Sequence, residues 1–278
     1  MTDPHNKSAD LDEDEVLEPQ RPRRKGIYAL PNSITLCALF CGFYAVVMAM
    51  HGRFETACIA IFCAAVLDAL DGRVARMTNS QSAFGEQMDS LSDMVSFGAA
   101  PALIVYMWGL KDLGRWGWIA AFVYIACAAL RLARFNVNIG VVDKRFFQGL
   151  PSPAAAALVI SLIWMVNEAG FREVSRIDGL AWTTFAVTMF AGLSMVTNAP
   201  FYSFKVFGGR RSVPFVVLVA IALGIAMISL YPERAIFGLF CVYGLSGYAV
   251  YLYKKAKGRP VSVIATSTDE PDERGLHH

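Results

Sequence analysis

The feature that most constrains this chain is a series of apolar segments, each close to the ~20 residues a helix needs to cross a bilayer. They fall at roughly 32–50, 54–76, 84–109, 117–138, 152–168, 180–198, 213–231 and 235–254. In hydrocarbon every backbone N–H and C=O must find its partner within the segment, so runs of this length are read as helices. The expectation is an all-α fold, a polytopic transmembrane helical bundle of about eight spans. Composition agrees, with 55% hydrophobic and 17% charged residues, where a soluble domain carries about 25% charged. Pro31-Asn32 opens the first span and Pro151-Ser152-Pro153 the fifth, proline being suited to a first helical turn. Tyr231-Pro232 closes the seventh.

The remaining sequence is polar and sits mainly at the ends. Residues 1–26 form a charged tail, acidic in LDEDEVLE and basic in RPRRK, and residues 257–278 form a second polar tail. A basic block directly before a span is a topology signal and a contact for anionic lipid. With the N-terminus in the cytoplasm, 19 of the 25 Lys and Arg residues fall on the cytoplasmic side. The C-terminus then lies inside as well. The N-terminus opens polar and acidic, unlike a cleavable signal. Cys37, Cys41, Cys58, Cys63, Cys127 and Cys241 lack the spacing of a zinc site and read as small packing residues. No nucleic-acid partner is expected.

Against this apolar background, Asp68, Asp71, Asp89 and Asp93 stand within 26 residues. Asp68, Asp71, Gly72, Ala75 and Arg76 share one face of the second span, and Gly85, Asp89 and Asp93 one face of the third. The two spans form a hairpin through Thr78-Asn79-Ser80, with its polar tip at the cytoplasmic membrane face. Packing these faces together gathers four carboxylates, and one Asp at a membrane-helix centre costs about 2.5–3.5 kcal/mol. A divalent cation removes both the burial cost and the mutual repulsion, and an all-oxygen site favours Mg²⁺ or Mn²⁺. Proton-relay groups of a pump and the ligands of a cation channel or transporter are the alternatives. Neither of these accounts for the small residues Gly72, Ala75 and Gly85 on the same faces, which leave room for a bulky ligand. Arg76 adds a cation able to pair a phosphate.

The pattern Asp68-x2-Asp71-Gly72-x2-Ala75-Arg76-x8-Gly85-x3-Asp89-x3-Asp93 resembles the signature of the CDP-alcohol phosphotransferase family. That resemblance implies displacement of CMP from a CDP-linked substrate by an alcohol, within a six-helix membrane core that is usually dimeric. The core then spans 27–205, with two additional spans in 206–256. The resemblance implies metal ligation, by two ions, at Asp68, Asp71, Asp89 and Asp93. It also implies catalysis at Asp89 and Asp93, with Asp93 as general base. Gly72, Ala75, Arg76 and Gly85 would border the nucleotide of CDP-diacylglycerol, together with Asn32 and Thr35 of LPNSIT.

Further segments, SFGAAPA (96–102), RLARFN (131–136), FFQGLPSPAAA (146–156) and FYSFK (201–205), resemble the bacterial membrane-embedded branch that forms phosphatidylserine. L-serine is therefore the expected acceptor, at the cytoplasmic face of a bacterial inner membrane, in a homodimer. Arg131 and Arg134 present guanidiniums suited to a carboxylate. Asn136, Ser96 and Gln148 are the other candidates for the acceptor. Each of these five has an ordinary reading as well, as a membrane-boundary charge or as a partner for backbone groups. The runner-up acceptors are glycerol 3-phosphate and an inositol phosphate.

Overall fold

Two apolar helices, α1 (Ala29–Met50) and α2 (Phe54–Met77), open the fold as an antiparallel pair. The structure is a computed structural model and describes residues 29–137, 146–170, 179–202 and 230–257. Ala38, Ala45 and Ala49 of α1 and Ala57, Cys58, Ala60, Ile61 and Ala64 of α2 are buried. Small side chains let helices approach closely in the absence of a strong hydrophobic drive between membrane segments. α2 carries Asp68, Asp71, Arg73 and Arg76 near its end.

The reversal into the third span is dictated locally. Asn79 takes a left-handed φ of 49°, and Ser80 N–H reaches back to Ala75 O at 3.0 Å, a helix stop that asparagine tolerates. Ser82 then caps α3 (Ala83–Asp93), its Oγ accepting from Gly85 N–H at 3.0 Å. The span continues beyond Asp93 through a π-helical turn (Met94–Ala99), α4 (Ala100–Val105), a second π turn (Tyr106–Leu110) and a 3-10 turn (Lys111–Leu113). Pro101 has no N–H to offer the carbonyl of Phe97 four residues back. The buried Tyr124 hydroxyl bonds that carbonyl instead, at 3.1 Å.

The second half is built around one buried helix. After α5 (Arg115–Val137) come α6 (Ser152–Glu168), α7 (Leu180–Val196) and α8 (Pro232–Ala256). α6 is buried from Ser152 to Ile163 except at Pro153 and packs against α2, α7 and α8. Its AAAALVISLI run is apolar all round, as an enclosed helix must be.

The fold is mostly helical, as expected, with one short strand pair that the sequence did not announce: β1 (Phe146–Gln148) pairs antiparallel with β2 (Pro200–Tyr202), Phe147 opposite Phe201. The chain turns out of β1 at Gly149, φ +76°, where a Cβ would lie 2.3 Å from Met195 O. The third span runs through to Leu113 rather than ending near 109, because the two π turns carry the helix on. Four described helices are long and apolar enough to cross a membrane: Leu30–Met50, Ala83–Leu113, Arg115–Val137 and Pro232–Ala256. α6 and α7, at 17 residues each, are shorter apolar helices. The seventh expected span lies almost wholly outside the described residues, as do both tails, so the expected total of eight is not established.

Candidate active site

One end of the bundle collects the start of α1, the end of α2, the start of α3, the end of α5 and the start of α6. Thr35 on α1 fixes the first acid, its Oγ1 lying 2.6 Å from Asp71 Oδ2 and 3.1 Å from Pro31 O. Asp71 is only 4% exposed. Ser92 Oγ donates to Thr35 O at 3.3 Å, tying α3 to the same turn of α1. One oxygen from each of Asp68, Asp71 and Asp89 lies within 4.8 Å of the other two. Asp93 lines the same cleft as Asp68, and Asp93 Oδ1 is buried without a partner. Carboxylate oxygens as close as the first three repel unless a proton or a cation lies between them. Three gathered carboxylates and the unpartnered oxygen of Asp93 fit a hard divalent cation.

Two clefts meet at these acids. The first, about 230 Å³, is lined by Pro31, Asn32, Thr35, Asp71, Gly72, Ala75, Arg76, Gly85 and Asp89, with the turn residues Ser80, Gln81, Ser82 and Glu86. The second, about 740 Å³, is lined by Asp68, Asp93, Arg73, Arg131, Leu132, Phe135 and the Pro151-Ser152-Pro153 start of α6. Asp71, Gly72, Arg76 and Asp89 belong to both. A ligand lying across that shared wall places its middle against the carboxylates and its two ends in separate chambers.

A sequence profile of the CDP-alcohol phosphatidyltransferase family matches residues 28–197. The chain belongs to the CDP-alcohol phosphatidyltransferase family. The transferase is similar to the CDP-diacylglycerol–serine O-phosphatidyltransferase of Helicobacter pylori, 34% identical over 229 residues, which cover 82% of this chain and 94% of the relative. It is 31% identical over 194 residues to the protein of the same name from Methanocaldococcus jannaschii, covering 69% of this chain and 82% of the relative. An archaetidylserine synthase from Methanothermobacter thermautotrophicus is 37% identical over 135 residues, 48% of this chain and 57% of the relative.

The residues read from sequence divide cleanly in space. Asn32, Thr35, Gly72, Ala75, Arg76 and Gly85 all line the first cleft, Asp71 and Asp89 line both, and Asp68 and Asp93 line the second alone. Of the five acceptor candidates, Arg131 alone lines the second cleft. Arg134 Nη1 instead donates to Val196 O at 3.2 Å and Asn198 Oδ1 at 3.1 Å, fastening α5 to the end of α7. Asn136 pairs with Ser90 at 3.1–3.2 Å. Ser96 is buried, its hydroxyl on Ala38 O at 3.2 Å. The backbone of Gln148 pairs with Pro200 in the sheet. Sequence reasoning missed Ser152 and the turn residues Ser80, Gln81, Ser82 and Glu86. A helix stop followed by a helix cap was the available sign that this turn is held in one shape.

Proposed function

We propose that the transferase moves the phosphatidyl group of CDP-diacylglycerol to the hydroxyl of L-serine, giving phosphatidylserine and CMP. The observation that carries this reading is the pair of clefts sharing one carboxylate wall, with Asp93 and Arg131 facing the second. The first cleft would take the cytidine end, with Arg76 beside the diphosphate. The second would admit the acceptor, whose carboxylate suits Arg131. Serine appears in the names of all three relatives, which favours it over glycerol 3-phosphate or an inositol phosphate.

In the reaction, the serine oxygen attacks the phosphorus that bears diacylglycerol while Asp93 takes its proton. The bond from that phosphorus to the CMP oxygen breaks, and CMP leaves with the electron pair. Asp68, Asp71, Asp89 and Asp93 would hold Mg²⁺ or Mn²⁺, read as two ions, which supplies charge neutralisation for the diphosphate and the departing CMP. Gly72 leaves the nucleotide room beside Arg76, and Thr35 holds Asp71 in place. No side chain at the shared wall offers a distinct nucleophile, which favours direct attack over a covalent intermediate.

We further assign the site to the cytoplasmic face of a bacterial inner membrane, in a homodimer. The helix ends that build it carry Arg73, Arg76, Arg131 and Arg134, as the inside ends of membrane helices do. The test is CMP release by purified protein supplied with CDP-diacylglycerol and one alcohol at a time. Release that requires serine and stops on chelation supports the reading. Preference for glycerol 3-phosphate or an inositol phosphate would make the chain a sibling enzyme, and metal uptake without CMP release would make it a transporter.

A further inference from the structure

The second cleft holds two polar atoms buried without partners, Asp93 Oδ1 and Arg131 Nε. No ion pair joins these residues among the described residues. A buried donor left unsatisfied costs about 1–3 kcal/mol, and with the Asp93 oxygen accounted for by a cation, Arg131 Nε is the group that still lacks a match. The guanidinium is nonetheless held in place, since Arg131 Nη1 donates to Ser152 Oγ at 2.8 Å. Ser152 is wholly buried at the first turn of α6. Pro151 and Pro153 stand on either side of it, and their rings fix φ near −65°, which holds the serine in one backbone setting. The α6 N-terminus opens on the same cleft and carries the partial positive charge of a helix start.

Resting on the assignment of serine as acceptor, we propose that Ser152 is a positioning residue for acceptor selection. Its bond to Nη1 fixes one edge of the Arg131 guanidinium at the wall of the cleft. An acceptor carrying a carboxylate one carbon away from its hydroxyl-bearing carbon then spans from Arg131 to Asp93. An alcohol without the carboxylate leaves Arg131 unmatched and is disfavoured.

The test measures KM for serine, KM for CDP-diacylglycerol and kcat in Ser152→Ala, Ser152→Thr and Ser152→Cys, with serinol as an acceptor lacking the carboxylate. Ser152→Ala is expected to raise KM for serine about tenfold, leave KM for CDP-diacylglycerol within about twofold, and narrow the preference for serine over serinol. Ser152→Thr, which keeps the hydroxyl, should restore most of the loss. Ser152→Cys keeps the side-chain size but offers only a weak hydrogen-bonding group, and should shift KM for serine in the same direction by a smaller factor. The control is Tyr248→Phe, which removes a 2.8 Å bond from α8 to Ser194 and should leave KM for serine at the parent value. Equal changes in both KM values, no rescue by threonine, or the same serine defect in Tyr248→Phe would overturn the positioning role. Should Ser152→Ala not fold, Ser152→Cys against Tyr248→Phe decides the matter by the same readout. A parent enzyme that ignores serine overturns the acceptor assignment itself, whereas a serine-using parent whose variants keep its KM overturns the positioning role alone.

Discussion

A Cβ added at Gly72 would meet nothing nearer than the Arg76 guanidinium at 3.5 Å, whereas one at Gly85 would press on Ser82 Oγ at 3.2 Å and Asn32 Oδ1 at 3.3 Å. The two glycines therefore respond differently to the same substitution. Gly72→Leu should raise KM for CDP-diacylglycerol at least tenfold with an unchanged melting temperature, because its side chain enters the cleft and touches no backbone. Gly85→Leu should lower the melting temperature as well, since it pushes on the helix cap. An unaltered KM in Gly72→Leu would mean that the first cleft does not take the nucleotide. Among the acids, Asp89→Asn and Asp93→Asn should each reduce CMP release by about 10²–10⁴-fold, the range for losing a positioned proton acceptor or a comparable charge. Asp93→Asn should spare Mn²⁺ and CDP-diacylglycerol binding more than Asp89→Asn does, and equal binding defects would argue against a separate base role for Asp93. Both variants should melt no lower than the parent in the presence of a chelator, because each removes a repelling charge from the cluster. Sequence spacing was sufficient to find these acids, since helical periodicity alone puts them on facing sides of one hairpin. It did not distinguish Arg131 from Arg134, three residues apart on α5, because their partners on α6 and α7 are distant in the chain.

The helices themselves were legible from apolar run length, but their interruptions were not. The π turn after Asp93 and the β1–β2 pair depend on tertiary partners. One is the Tyr124 hydroxyl, 27 residues from the Phe97 carbonyl that it satisfies. Tyr124→Phe should therefore cost about 1–3 kcal/mol by leaving a buried carbonyl unpaired, read as a lower midpoint of thermal unfolding in detergent. An unchanged midpoint would show that the π turn closes without that bond. Ser82→Ala tests the hairpin in the same way. Loss of the cap should cost about 0.5–2 kcal/mol, and because Ser82 also lines the first cleft, affinity for CDP-diacylglycerol should fall along with stability. Helix α8 shows how an element read as an addition to the core can be part of it. Gly247 faces the ring of Phe201, where a Cβ would lie 2.4 Å away, and Tyr248 bonds Ser194. Neither contact leaves a trace in periodicity, because each joins the last span to residues about fifty positions earlier.

At the scale of the molecule, the helix ends around the site carry Arg73, Arg76, Arg131 and Arg134, against Arg53, Arg115 and Arg234 at the opposite ends, a bias that predicts the orientation. In a background lacking native cysteines, Gln81→Cys in the α2–α3 turn should label only from the cytoplasm. His51→Cys, in the exposed turn at the opposite end of α1, should label only from the other side, and the reverse pattern would invert the enzyme. The catalytic hairpin is legible in the sequence because its chemistry is carried by residues close together in the chain. The second cleft is not, because it is assembled from α2, α3, α5 and the start of α6. The central claim, that the acceptor's own oxygen attacks the phosphorus bearing diacylglycerol, is tested most directly with serine carrying ¹⁸O in its hydroxyl. Purified transferase, CDP-diacylglycerol and labelled serine are incubated with Mg²⁺ or Mn²⁺, and both products are weighed by mass spectrometry. The account predicts that phosphatidylserine retains the heavy oxygen and CMP contains none. Heavy oxygen in CMP, or CMP formed without labelled phosphatidylserine, would contradict it.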